Sequence, residues 1–326
     1  MTLKETNKLE IHYYLEDGSH SIDAYIKHKC DAEILAIVKE LILDFGGNIE
    51  VLNELPAEGG WKDFLKFVKK NKDTLGLGIS TLTLIVMILQ SFLSNTNTAD
   101  PEILKKQRES LDLDIEYKKL SIEKIKKELE AGKKPEDILK DSIKIFSHSY
   151  KTVKRRSNLY TYLRDYKDLD KLSTTTYLDD KISHKETIIE RKDFQKFILE
   201  SSELSKVSDD KAIIEIVAPV LGYGKYSWRG FYNNDSISFS MDDESFKQSI
   251  NNKEISFQKG YFMECLLEYN RRLNDEGEVE GYNYTVPIVM GQLKDGKITE
   301  TLQGKRYKRI KKDLENQMGI NFDDNE

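Results

Sequence analysis

Between Thr74 and Ala99 the chain carries no charged side chain, and within that window Leu75 to Leu93 reads LGLGISTLTLIVMILQSFL. Coiled as a helix, these residues rise roughly 28 Å, close to the hydrocarbon thickness of one bilayer. Such a segment must either cross a membrane or be enclosed by protein. Leu82, Leu84, Ile85, Val86, Met87, Ile88 and Leu89 spread round the whole helical circumference, whereas a surface helix keeps a polar stripe. Lys62, Lys66, Lys69, Lys70 and Lys72 precede it; Lys105, Lys106 and Arg108 follow. This pattern predicts a single transmembrane helix over 74–95, with Gly76, Gly78, Ser80, Thr81 and Thr83 as a small-residue packing surface between copies. The alternative is a helix buried in a globular core or under a partner chain, a reading that Thr83, Gln90 and Ser91 suit. Five basic residues before the span and three after it place the N-terminal module inside. That orientation, however, exports a large charged domain.

At 326 residues the chain allows two or three domains. Charged residues make up 33 % of it and the net charge is −6, which lacks the global basicity of a dedicated nucleic-acid binder. The two cysteines, Cys30 and Cys265, lie far apart and make neither a disulfide framework nor a zinc site. The opening MTLKETNKLEIHYYLEDG has no apolar core of the secretory kind, so no cleavable signal is expected. A bacterial inner-membrane protein is expected if the apolar helix spans, and a cytoplasmic one if it is buried.

The fold class expected is α+β. Residues 1–56 form a small α/β module of order ββαβ: a strand at Leu9–Leu15, a hairpin turn at Asp17-Gly18, a second strand at His20–Ile26, a helix from Asp31 to Phe45, and a strand at Asn48–Leu55. His12, His20, His28 and Cys30, with Asp23 among them, do not follow zinc-ligand spacing, and strand alternation sends several of them to different faces. No metal and no cofactor is implied. Residues 57–73 read as an amphipathic connector, with Trp61, Phe64, Leu65, Phe67 and Val68 opposite five lysines, suited to an anionic membrane surface. Over 101–149 a helical arm carries Leu104, Leu111, Ile115, Ile122, Ile125 and Leu129 at alternating spacings of three and four. That is a coiled-coil seam and implies a homo-oligomer, unless the helix lies back on its own domain. Residues 150–326 form a C-terminal α+β domain rich in antiparallel strands, a twisted sheet or partly closed barrel that senses or binds something.

Two clusters in this domain are candidate sites. Gly222-Tyr223-Gly224 precedes Lys225, Tyr226, Trp228 and Arg229, and glycines beside aromatic and basic groups suit a phosphate and a stacked base. The competing role for Trp228 is to fill the barrel core. Neither a strand-to-helix GxGxxG nor a GxxxxGK[ST] is present. Farther on, Lys305, Arg306, Lys308, Arg309, Lys311 and Lys312 form a basic patch suited to nucleic acid, a phosphate-rich ligand or lipid headgroups. Otherwise it is a solvated helix balanced by the acidic tail. Lys151, Lys154, Arg155 and Arg156 make a smaller run. His148 and His184 have no Ser, Cys or carboxylate pair arranged beside them, so no catalytic residue is nominated and the chain reads as non-enzymatic.

Glu58-Gly59-Gly60-Trp61-Lys62-Asp63 before the apolar helix, and Trp228-Arg229-Gly230 leading to Ile237-Ser238-Phe239-Ser240-Met241-Asp242, resemble segments of uncharacterised bacterial membrane-linked proteins. Those proteins have a C-terminal β-rich domain and are similar in layout to anti-phage defence effectors. The resemblance implies an oligomeric membrane effector whose C-terminal domain receives a ligand or protein-partner signal. The alternatives are a multidomain scaffold with the apolar helix buried, or a nucleic-acid-linked factor acting through the C-terminal basic cluster.

Overall fold

The structure, a computed structural model, describes residues 4–16, 18, 21–45, 48–54, 61–69, 81–95, 120–125, 127–128, 131, 133–147, 149–220, 226–258, 260–294 and 297–320. The chain divides into two units, the first Met1–Ser202 with Leu273–Glu278, the second Glu203–Arg272 with Val279–Glu326. Residues 150–202 therefore belong to the first unit.

In the first unit, β1 (Lys8–Leu15) alternates Leu9, Ile11, Tyr13 and Leu15 towards the core with Lys8, Glu10, His12 and Tyr14 on the opposite face. The expected hairpin partner does not form. Asp23 accepts hydrogen bonds from the Tyr25 and Ile26 amides at 2.9 and 3.0 Å, and this cap starts α1 (Ala24–Phe45) seven residues ahead of Asp31. β2 (Ile49–Glu54) then pairs with β3 (Trp61–Lys69), which replaces the expected amphipathic connector helix. Its sequence alternates as well as it spirals: Leu65 and Phe67 are buried while Lys62 pairs with Glu10 at 2.9 Å and Lys66 with Glu54 at 2.7 Å. β4 (Leu169–Leu178) and β5 (Lys181–Glu190) complete an antiparallel sheet of order β2-β3-β1-β4-β5.

Against one face of this sheet lies α2 (Thr81–Ser94), the described part of the apolar stretch. Its 14 residues span about 21 Å, and no helix among the described residues is long and apolar enough to cross a membrane. The transmembrane reading is thereby corrected. All-round apolarity arises because α1, α3 (Pro135–Ser147) and strand β4 pack around α2, leaving Leu84, Ile85, Val86, Ile88, Leu89, Phe92 and Leu93 fully buried. The polar residues are the informative ones. Thr83 Oγ1 both accepts from the Thr6 amide and donates to the Thr6 carbonyl, each at 3.2 Å, and Ser94 Oγ meets Thr174 Oγ1 at 3.0 Å. Thr83 thus binds within its own chain. Gly76, Gly78 and Ser80 lie outside the described residues. At the C-terminal end of α2, Arg156 Nη1 donates to the Phe92 carbonyl at 2.9 Å and the Tyr160 hydroxyl to the Leu93 carbonyl at 2.5 Å. Both come from α4 (Tyr150–Asp165) and satisfy carbonyls that a helix end leaves open. Burial lowers the Arg156 guanidinium pKa to about 10.

Of the seam residues, Leu104, Leu111, Ile115 and Leu129 lie outside the described residues. Ile122 and Ile125 are buried inside the single chain, Ile125 within the first unit's core.

In the second unit, β6 (Glu203–Ala218), β7 (Trp228–Tyr232) and β8 (Asp235–Met241) form a meander. The β7–β8 turn is Asn233-Asn234, with φ of 50° and 70°, the left-handed pair that a two-residue type I′ hairpin needs. After α5 (Glu244–Asn251) come β9 (Phe262–Leu273) and β10 (Val279–Lys294). β9 pairs with β6, β8 pairs in parallel with β10, and β9 pairs with β10, so the ring closes as β6-β7-β8-β10-β9. Numbered within the barrel, the order is 1-2-3-5-4 with a helix between the third and fourth strands, the Greek-key connectivity of the OB class. β11 (Lys297–Glu300) extends the β10 edge and leads into α6 (Leu302–Ile320).

Asp243 ties these parts together. It is buried, caps α5 by accepting from the Phe246 amide at 2.9 Å, and accepts through its second oxygen from the Val289 amide at 2.8 Å and from Gln303 Nε2 at 3.1 Å. One carboxylate thus joins the cap helix, a barrel strand and α6.

Candidate nucleic-acid interface

Strand alternation sorts the candidate ligand residues. In β7 (WRGFY), Trp228 and Gly230 face inward while Arg229 and Phe231 face outward. Trp228 fills the barrel core, its ring 5.5 Å from Phe257, 6.1 Å from Phe239 and 6.3 Å from Phe246. Its place in a ligand loop is corrected accordingly. Arg229 and Tyr226 are exposed, Tyr226 by 71 %; Lys225 lies outside the described residues. Phe231, which the sequence reading passed over, is 43 % exposed. The signal for it was present: residues two apart in a strand share a face, so an outward Arg229 implies an outward Phe231.

Around these residues the outer barrel surface is a shallow strip. Ser238 lies opposite Arg229 and Ser236 opposite Phe231 on β8, while Glu215 lies opposite Phe231 on β6. Ile213 and Val217 add exposed apolar surface on β6. The strip runs into a groove of about 960 Å³ at the end of β6, lined among others by Glu215, Val217, Lys253, Ser256, Phe257 and Gln258.

Lys253 occupies the groove at a conformational cost. It stands at the position after the C-cap of α5 with φ of 63°, where its amide donates to the Ile250 carbonyl at 3.0 Å and the Glu254 amide to the Ser249 carbonyl at 2.9 Å. This is a Schellman close, a position that glycine fills most easily. Lys253→Gly is accordingly expected to stabilise the barrel by roughly 0.5–1 kcal/mol, read as a higher urea midpoint at unchanged slope.

The basic patch lies on α6, held hard against β10. A Cβ on Gly304 would stand 2.3 Å from the Met290 carbonyl oxygen and 2.6 Å from its Cα, so no larger residue fits without moving the helix. Lys308 pairs with Glu300 at 2.9 Å and reaches Glu264 at 3.5 Å, and Lys311 pairs with Asp210. Hydrogen bonding to these carboxylates raises the pKa of both lysines, and the lysines hold Glu300 and Asp210 below the usual carboxylate range. Glu264 is the cross-strand partner of Ile213, so these pairs set α6 beside the β6 part of the strip. Lys305, Arg306, Arg309 and Lys312 are exposed and make no ion pair among the described residues.

The smaller basic run is absorbed by its own unit: Lys151 pairs with Glu40 at 2.9 Å, Arg155 with Glu33 at 3.2 Å, Lys154 donates to Ser202, and Arg156 is buried. His184 bonds Thr176 and Ser183, and His12 lies against Tyr14 with ring centroids 3.8 Å apart and the rings tilted by 32°. No group of three or more His, Cys, Asp or Glu suited to a metal occurs among the described residues. Comparison of the chain with protein-family models, with curated proteins and with solved structures finds no match.

Proposed function

We propose that this protein is a non-enzymatic binder of single-stranded nucleic acid, with the barrel as its binding domain and the first unit as its scaffold. The observation that carries this reading is the outward strip of Arg229, Phe231 and Tyr226 on an OB-ordered barrel, together with four exposed cations on α6, the helix that Lys311 ties to Asp210 of β6. Barrels of this order present that face to oligonucleotides and oligosaccharides. Aromatic faces stack bases of any sequence, and cations track the backbone. Glu215 and the serines of β8 keep the strip from being uniformly positive, which suits a bound strand of modest affinity.

Fluorescence anisotropy with labelled oligothymidine and oligouridine of about 15 nucleotides tests the reading. Four phosphate contacts give a log–log salt slope near −3, a loss of roughly 50-fold between 50 and 200 mM salt. Replacing Lys305, Arg306, Arg309 and Lys312 together by alanine is expected to flatten that slope by about 3. Phe231→Ala is expected to weaken binding by about 1–3 kcal/mol while leaving the slope unchanged. Binding that is absent, or that ignores salt, overturns the reading.

A further inference from the structure

We propose that the first unit carries a separate binding site for a small organic cation with a short apolar body, in the cavity between α1 and the β1–β3–β2 corner of the sheet. The cavity holds about 180 Å³ and is lined by Ile11, Ile34, Leu35, Val51 and Leu65, with Asn53, Asp31 and Asp63 supplying the polar wall. The alternation that turns Leu65 and Phe67 of β3 inward turns Asp63 inward too, so a carboxylate occupies a core-facing place. Lys27 of α1, itself buried, reaches Asp63 at 2.8 Å and Asp31 at 2.5 Å. Burial works against the Lys27 charge, but the hydrogen bonds that its ammonium donates to both aspartates outweigh it and its pKa lies above the ordinary lysine value.

Stability alone does not account for this arrangement. An inward ion triad contributes little that well-packed apolar residues of the same volume would not, and here it borders unfilled space. Two carboxylates against one ammonium leave one negative charge on the cavity wall. Behind the triad the Tyr13 hydroxyl is buried with no hydrogen-bond partner among the described residues, its ring facing Lys27 at 5.9 Å. A cavity of about 150 Å³ is known to admit benzene, so this one takes a ligand of similar size. Its apolar walls and net negative rim select an amine or guanidinium over a neutral or anionic molecule of equal shape.

Benzylamine and its neutral counterpart benzyl alcohol are the probes, titrated calorimetrically into the full-length chain near neutral pH at matched ionic strength. Saturable benzylamine binding, at least about ten-fold tighter than benzyl alcohol, is the expected result. Asp31→Asn, at the more exposed of the two carboxylates, is expected to remove that preference while the protein stays folded by circular dichroism. Val51→Phe, which fills the cavity, is expected to abolish binding of both. Equal binding of amine and alcohol, no saturable heat from either, or an Asp31→Asn variant that keeps the preference each overturns the site. None of these outcomes depends on nucleic-acid binding by the barrel.

Discussion

Phe92→Ala is expected to destabilise the first unit by about 3–5 kcal/mol, a large share of what such a unit has to lose. The ring is fully buried, meets Phe146 edge-on at 5.1 Å, and lies 4.1 Å beneath the Arg156 guanidinium. Truncation removes the contacts of both neighbours and opens a hole that α1, α3 and the sheet cannot all close at once. Part of the loss is the cation–π contact, so Phe92→Leu, which keeps most of the volume, is expected to cost less but still measurably. Urea unfolding followed by tryptophan fluorescence reads the effect by unit, because Trp61 lies in β3 and Trp228 in the barrel. In a Trp228→Phe background the midpoint moves sharply; in a Trp61→Phe background it is expected to stay put. A helix surrounded by lipid would tolerate the same change with little loss, so the measurement also tests the burial of α2 directly.

The second large effect belongs to Asp243→Ala in the other unit. Loss of the cap costs about 1 kcal/mol, and the Val289 amide left buried without an acceptor costs about 1–3 kcal/mol more. A total near 2–4 kcal/mol is expected, measured as a fall in the barrel's urea midpoint. Asp243→Asn keeps one acceptor oxygen and is expected to lose clearly less. Because Gln303 is the third partner, hydrogen exchange should show α6 opening in the alanine variant before the barrel strands do. Nucleic-acid affinity should then fall even at denaturant-free conditions, since the four exposed cations ride on that helix. Retained protection along α6 would count against Asp243 as the tie between them.

How much of this was legible beforehand differs between the two units, for a physical reason. In the barrel part of the structure is local: the β7–β8 hairpin, the short helix at Phe246 and the strands from Tyr261 onward follow from alternation and turn residues, whereas the β6–β9 and β8–β10 pairings that close the ring join strands distant in sequence. In the first unit the defining pairings are more distant still. β1 pairs with β4 at a separation of well over a hundred residues, Lys8 opposite Tyr177, and no local pattern announces it. The segment WKDFLKFVK satisfies both a helical and a strand period, and only its cross-strand partners decide in favour of the strand. For α2 the apolarity is legible in the sequence, while its environment is not, and the described helix, Thr81–Ser94, is shorter than the span expected over 74–95. Thr83 and Gln90 stand out in the sequence as blemishes on a membrane helix, but their partners Thr6 and Thr174 do not, because those lie about 80 residues away. The candidate strip was half legible: Tyr226 and Arg229 stood out by composition, while Phe231 and Lys253 needed the face and the groove to be known.

The sheet order has a consequence for how the chain is made. β1 precedes every other described strand of its sheet in the chain and is the central strand of the finished sheet, yet its partner β4 follows more than 150 residues later. At translation rates of about 5–20 residues per second, β1 spends roughly 8–30 s with one of its edges unpaired. Loop-closure entropy must also be met before that pairing is rewarded. Nascent chains of the first unit are therefore the most exposed to edge-to-edge misassembly, and slowing synthesis before residue 169 should lower the soluble yield more than slowing it within the barrel.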